Sequence, residues 1–144
     1  KKGKTIKIEI SVKNMLKNEE KFGIKKFKTY QDFGKKVYKI RANVIKNLKE
    51  LKKKNSLVVG YGAPAKATTA LNFFGVSNEI DFIVEDNILK HNKFVPGVKI
   101  PIKKKSDIKN KDNTVVVLAW NFFQDIKENN TTLSKKFVSI KDLE

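Results

Sequence analysis

Cysteine is absent from this chain of 144 residues, and histidine, methionine, tryptophan and arginine each occur once. Without thiols there is no disulfide framework, no thiolate metal site and no cysteine nucleophile, and a reducing compartment becomes the default, so a cytoplasmic location is expected. His91 alone cannot supply a catalytic triad or a histidine-rich metal centre, although carboxylates by themselves can hold a hard cation. No apolar run approaches the roughly 20 residues of a membrane helix. The opening KKGKTIKIEI has no apolar stretch of the signal-peptide kind, and no membrane partner is expected. The length suits one ordinary core and is too short for two substantial domains.

What the chain has in abundance is lysine, and its net charge is +17. Such an excess ordinarily points to nucleic acid or an anionic surface. Here all basic residues but Arg41 are lysine, and Asn is also abundant, the signature of a compositional bias on solvated surfaces. The excess is lopsided: residues 1–55 carry 19 basic and 5 acidic groups, residues 56–144 carry 13 and 10. Nucleic-acid readers interleave arginine or aromatics with their basic groups. The leading segment offers only Phe22, Phe27, Tyr30 and Phe33 before its long helix settles in, and no nucleic-acid partner is expected.

Hydrophobic periodicity divides the chain. Ile6, Ile8 and Ile10 alternate with polar residues in a strand over Thr5–Ile10, whose single apolar face needs a sheet. Ser11 is a candidate cap for a helix ending near Gly23. From Thr29 to Lys54, Phe33, Val37, Ile40, Val44, Leu48 and Leu51 fall at steps of four and three, a narrow stripe on a long amphipathic helix. Such a stripe is a coiled-coil seam or, as favoured here, a helix laid on a neighbouring domain or sheet. After Asn55 the rhythm becomes βα alternation. Strands are expected at Leu57–Val59, Ile80–Val84, Thr114–Ala119 (the most apolar, and central) and Phe137–Ile140, with an edge piece around Pro101. Helices are expected over Ala65–Phe74, stopped by Gly75, and from Asn121 or Gln124 to Asn130, and Ser106 or Asp107 is a candidate cap for a single turn. The fold class is therefore α/β: a small Rossmann-like, doubly wound, mostly parallel sheet preceded by a helical segment. The division is 1–10 as a remnant strand, 11–55 as a helical connector and 56–144 as the Rossmann-like domain.

The chemistry concentrates in LVVGYGAPAK, residues 57–66. Gly60, Gly62 and Ala65 follow the G-x-G-x-x-(G/A) spacing of a strand, tight turn and helix start that turns backbone N–H groups towards a ligand. Amides and helix dipole favour an anion, and Lys66 adds a full charge. In a doubly wound sheet ligands sit beyond the carboxyl ends of the strands. That rule selects Gly60, Tyr61, Gly62, Ala63, Pro64, Ala65 and Lys66 after the first strand. It adds Glu85, Asn87 and Lys90 after the second, and Trp120 and Asn121 after the strand of residues 114–119. Glu85 suits ribose hydroxyls, Lys90 a phosphate, and Trp120 a stacked base or sugar. A stand-alone dinucleotide- or nucleotide-binding regulatory module fits these residues too.

The ordered segments GYGAPAKATTALNFFG, IDFIVEDNILKHNKFVPGVKIPI and VVVLAWNFFQDI, with TYQDF ahead of the long helix, resemble the C-terminal domain of S-adenosylmethionine-dependent sugar C-methyltransferases, over Val12 to Glu128. Gly60, Tyr61, Gly62, Ala63, Lys66, Asn87, Lys90, Trp120 and Asn121 stand where that family has the same residue. Departures are Glu85 for the usual Asp, Ile88 for Pro, Asn92 for Gly and Thr68 for Asn. The resemblance implies a parent enzyme with a zinc-binding N-terminal module, a middle domain that binds S-adenosylmethionine, and a Rossmann-like domain that helps enclose a nucleotide-diphosphate sugar. Methyl transfer to a carbon beside a ketone needs a base and enolate-stabilising donors, which in the family belong mainly to the middle domain. This chain has no second glycine-rich fingerprint and no zinc cysteines, and KKGKT stands in place of the family's HGG stretch. The resemblance thus implies a non-catalytic, substrate-side portion, with no cofactor or metal of its own. Its partners are then the missing N-terminal and middle domains, or a second copy in a homodimer. The start at Lys1 rather than Met agrees with a piece of something longer, and Thr5–Ile10 resembles the last strand of the missing middle domain.

Overall fold

The computed structural model describes residues 9–55, 57–76, 78–109 and 111–144. The chain divides into two compact units, Lys1–Lys39 and Ile40–Glu144. In the first, helix α1 (Ile10–Phe22) ends at Gly23, whose φ of 80° lets its amide reach back to the carbonyls of Glu19 and Glu20. A left-handed glycine is the common way to satisfy such orphan carbonyls. The helix starts before the expected cap: Glu9 holds the N-cap position, and the Ser11 hydroxyl donates to Glu9 Oε2 at 3.3 Å. Of the expected strand Thr5–Ile10, residues 5–8 lie outside the described residues, and Ile10 opens α1 instead. After the turn, Thr29 Oγ1 donates to Gly23 O at 2.8 Å and Tyr30 Oη to Ile24 O at 2.6 Å.

Helix α2 (Phe27–Lys54) follows, two residues earlier than its apolar stripe announces. Its residues from Ile40 onward belong to the second unit, where Val44 and Leu48 are fully buried and Ile40, Ile45 and Leu51 pack beside them. This part of the stripe is therefore the face of a helix laid on a sheet. Strands β1 (Val58–Tyr61), β2 (Phe82–Val84), β3 (Lys93–Phe94), β4 (Pro101–Lys103), β5 (Thr114–Val117) and β6 (Lys136–Ser139) form that sheet. Their spatial order is β3-β4-β2-β1-β5-β6. All pairings are parallel except β3 with β4. Helix α3 (Ala65–Phe74) joins β1 to β2, and α4 (Phe123–Asn129) joins β5 to β6. The period-two alternation of β1 sends Val58 into a core with Val44, Leu48, Ala67 and Leu71 of α2 and α3, while Val59 and Tyr61 face Phe123 and Ile126 of α4. Helices cover both faces, as an all-buried parallel sheet requires.

Three local expectations change. The strand at Pro101 is not the edge, because Lys93–Phe94 pairs outside it; Pro101 sits at the first residue of β4, where a missing N–H costs little. β5 is paired on both sides, but the middle of the sheet belongs to β1 and β2. The single turn of residues 105–107 is capped at Lys104 rather than at Ser106 or Asp107. Among the described residues no helix is long and apolar enough to cross a membrane.

Candidate functional site

The strand order reverses at β1: the chain moves one way to β2 and β4, then returns to place β5 on the other side of β1. A crevice opens beyond the carboxyl ends of strands at such a switch point. Here it is a cleft of about 310 Å³ lined by Tyr61, Gly62, Pro64, Glu85, Asp86, Lys90, Ala119, Phe122 and Ile126. Sequence reasoning named the first four of these and Lys90, leaving aside Asp86, and the structure brings those five together. Asn87 caps the next 3₁₀ turn by accepting from Leu89 N at 3.0 Å. Lys66 Nζ lies 4.3 Å from the centre of the Trp120 ring, so these two residues hold each other beside the helix start. Asn121 is exposed in the 3₁₀ turn that follows β5.

Steric demands explain the two glycines. A Cβ on Gly60 would come within 2.7 Å of Ile83 Cγ1 and 3.0 Å of Leu118 Cδ1, so only a bare backbone fits between the neighbouring strand and the packing behind it. Gly62 has φ +85°, and a Cβ there would meet that of Ala119 at 3.1 Å. The backbone turn thus brings β1 and β5 ends close enough to form one wall.

The amides of this loop are not all open. Gly62 N donates to Val84 O at 2.8 Å, and Ala63 N donates to Glu85 Oε2 at 2.8 Å. Glu85 is also the acceptor, through Oε1, for the amides of Asp86 at 3.0 Å and Asn87 at 3.1 Å. Lys90 Nζ completes the clamp, 3.2 Å from Glu85 Oε2 and 3.0 Å from Ala63 O. Burial works to raise the Glu85 pKa, but the amides of Ala63 and Asn87 and the Lys90 ammonium outweigh it and hold the carboxyl below its ordinary value. Glu85 therefore ties the second loop to the glycine loop as an ionised side chain. The Ala65 and Lys66 amides, in the first turn of α3, have no hydrogen-bond partner among the described residues.

Beside this clamp lies a second polar group. Tyr61, only 3% exposed, donates its hydroxyl to Asp86 Oδ2 at 2.8 Å. Lys105 Nζ bridges Asp86 Oδ1 at 2.7 Å and Asn130 Oδ1 at 2.9 Å. Burial raises the Tyr61 pKa, with Asp86 adding to the rise against the pull of Lys105. Burial also opposes ionisation of Asp86, yet Lys105 and the Tyr61 hydroxyl lower its pKa in balance. Lys105 is raised, its desolvation outweighed by Asp86 and Tyr61. Asp86, Lys105 and Asn130 escaped sequence reasoning. Asp86 adjoins a second acid, Lys105 closes a run of three lysines and Asn130 ends a pair of asparagines, so neither spacing nor residue type sets them apart.

The arrangement offers a cleft whose two carboxylates are each paired with an ammonium. An ammonium has three donors, so Lys90 keeps one beyond the two bonds it makes here, while Lys105 also lies against Tyr61, 5.2 Å from the centre of its ring. Among the described residues no group of three or more His, Cys, Asp or Glu side chains is placed to hold a metal ion.

Comparison with known proteins fits this picture. A family described as C-methyltransferase C-terminal domain matches residues 1–139. The chain is also 30% identical over 121 residues to the C-methyltransferase NovU of Streptomyces niveus, an alignment that takes in 83% of this chain and 29% of that protein. The chain thus spans well under half the length of this curated relative.

Proposed function

Because the chain belongs to the C-methyltransferase C-terminal domain family, we propose that it is the substrate-side portion of an S-adenosylmethionine-dependent enzyme that methylates a carbon of a nucleotide-linked keto-deoxysugar. In this reading it carries no catalytic group. S-adenosylmethionine and zinc belong to the preceding parts of the parent enzyme, and the helical residues 11–39 dock on those parts or on a second copy, the apolar face of α2 from Ile40 onward being already packed on the sheet. The cleft at the switch point between β1 and β5 is the observation that carries the reading. The glycine loop faces the diphosphate or an adjoining part of the ligand. Two amides of the α3 first turn, with Lys66 beside them, supply the donors for an anion. The lysine-rich surface draws the anionic ligand in, an effect that ionic strength weakens.

Titration of the chain with nucleotide-diphosphate sugars and, separately, with NAD(H) tests the reading. The expected result is binding of the former, weakened by Lys66→Ala with the fold unchanged by circular dichroism. Tight binding of NAD(H) alone would make the chain a dinucleotide-sensing module instead.

A further inference from the structure

The carboxylate at the end of β2 that is free to meet a ligand is not the one that spacing selects. Glu85 is spent: its side chain is 13% exposed and its oxygens accept from the amides of Ala63, Asp86 and Asn87 and from Lys90. Asp86 differs in its exposure and in how few bonds its oxygens make. Its side chain is 61% exposed, it lines the cleft, and each of its oxygens makes one bond, Oδ1 to Lys105 and Oδ2 to Tyr61. A carboxylate has about four acceptor sites over its two oxygens, so one site on each oxygen stays open. Nor is this a loose surface pair. Of the two partners of Asp86, Tyr61 is itself only 3% exposed, and Lys105 is anchored by Asn130, 6% exposed. The carboxylate is thereby oriented before any ligand arrives, which lowers the ordering cost of binding.

We infer that Asp86 is a binding residue for a vicinal diol, receiving one hydroxyl on each oxygen, with Tyr61 and Lys105 as the positioning residues that aim it. This rests on the reading of the cleft as a nucleotide-sugar site and deepens it. Two open acceptors on one planar group match two hydroxyls on adjacent carbons, whereas a phosphate would be repelled by the same charge. The diol comes from the ribose of the nucleotide or from the hexose. If from the ribose, the carrier is a ribonucleotide rather than a deoxyribonucleotide.

The 144-residue chain is titrated, by amide NMR or calorimetry, with the four common ribonucleoside diphosphates, their 2′-deoxy counterparts, inorganic pyrophosphate and methyl α-mannoside, whose hydroxyls on the second and third carbons are cis. The expected result is that one ribonucleotide binds at least about tenfold more tightly than its 2′-deoxy form, the worth of one hydrogen bond to a charged group. Asp86→Asn should collapse that ratio towards one, while Lys66→Ala weakens both forms alike and leaves the ratio unchanged. Binding of the mannoside that disappears in Asp86→Asn, with no ribose preference, supports the diol and assigns it to the hexose. Equal binding of ribo and deoxy forms, no mannoside binding and no effect of Asp86→Asn overturn the inference while the nucleotide reading stands. If neither nucleotides nor the mannoside bind, both fall.

Discussion

Replacing Glu85 by glutamine tests whether the clamp organises the cleft. The change keeps size and one carbonyl oxygen, but sets an NH2 group against a donor. If that group faces Ala63 N, the 2.8 Å bond is lost and Lys90 loses its anion. If it faces the other way, the amides of Asp86 and Asn87 both lose their acceptor. Either arrangement loses at least one charge-assisted hydrogen bond as well as the anion that faces Lys90, so the change costs about 2 kcal/mol or more. With a urea slope of about 1–3 kcal/mol per molar, the unfolding midpoint should fall by on the order of 1 M. Trp120 is the sole tryptophan, and its fluorescence follows the unit that contains the cleft. The pH dependence adds a sign. The Glu85 pKa is lowered in the fold from its ordinary 4.5, so its contribution is complete above that value and is lost as pH falls through the depressed folded value. The glutamine variant lacks this loss, and the gap between the two proteins should narrow as the medium becomes acid. An unchanged midpoint at neutral pH, or a gap that does not narrow below pH 4.5, would refute the clamp.

Gly60→Ala should destabilise the protein by about 1–3 kcal/mol through overpacking, since its methyl group would press on Ile83 and Leu118; chemical denaturation at neutral pH measures this, and a neutral outcome would mean the strands part freely. The buried Tyr61 should titrate above the ordinary tyrosine value, so ultraviolet absorbance should show a late tyrosine step at high pH, and Tyr61→Phe should remove that step. Its raised pKa also means that the stability it contributes is present below its unfolded pKa and is lost as pH rises through the folded one.

The fold was legible wherever punctuation residues bound the elements. Pro64 and Gly75 bracket α3, and the helix runs between them as Ala65–Phe74. The stripe through Val44 and Leu48 likewise gave the buried face of α2. Placement within the sheet was less readable. Lys93–Phe94 is too short and too exposed to leave a periodic trace, yet it takes the edge from the strand that Pro101 marked. The cleft showed the same division. The spacing of Gly60 and Gly62 located the turn, because that turn has backbone requirements of its own. Which of two successive acids serves the structure and which faces solvent depends on side-chain direction after the strand ends. There the period of two no longer applies, and Glu85 and Asp86 look alike in sequence. The Asp81 carboxylate was missed for a similar reason. It binds Lys52 Nζ and accepts from Val58 N at 2.8 Å, joining α2 to the start of β1 across a separation that no local pattern encodes.

The two-residue strand β3 has a consequence for behaviour at high concentration. An unpaired strand edge is a template on which other chains can stack, and long, flat, apolar edges seed aggregates. Here that flank of the sheet ends in Lys93 and Phe94, both exposed, and Asn92 enters it with φ at 60°, which bends the backbone away from a flat ribbon. A neighbouring molecule finds too few aligned groups, and a charged side chain among them, to continue the sheet. Lengthening this flank with valine or isoleucine, or replacing Lys93 with either, should therefore turn a self-limiting sheet into one that polymerises.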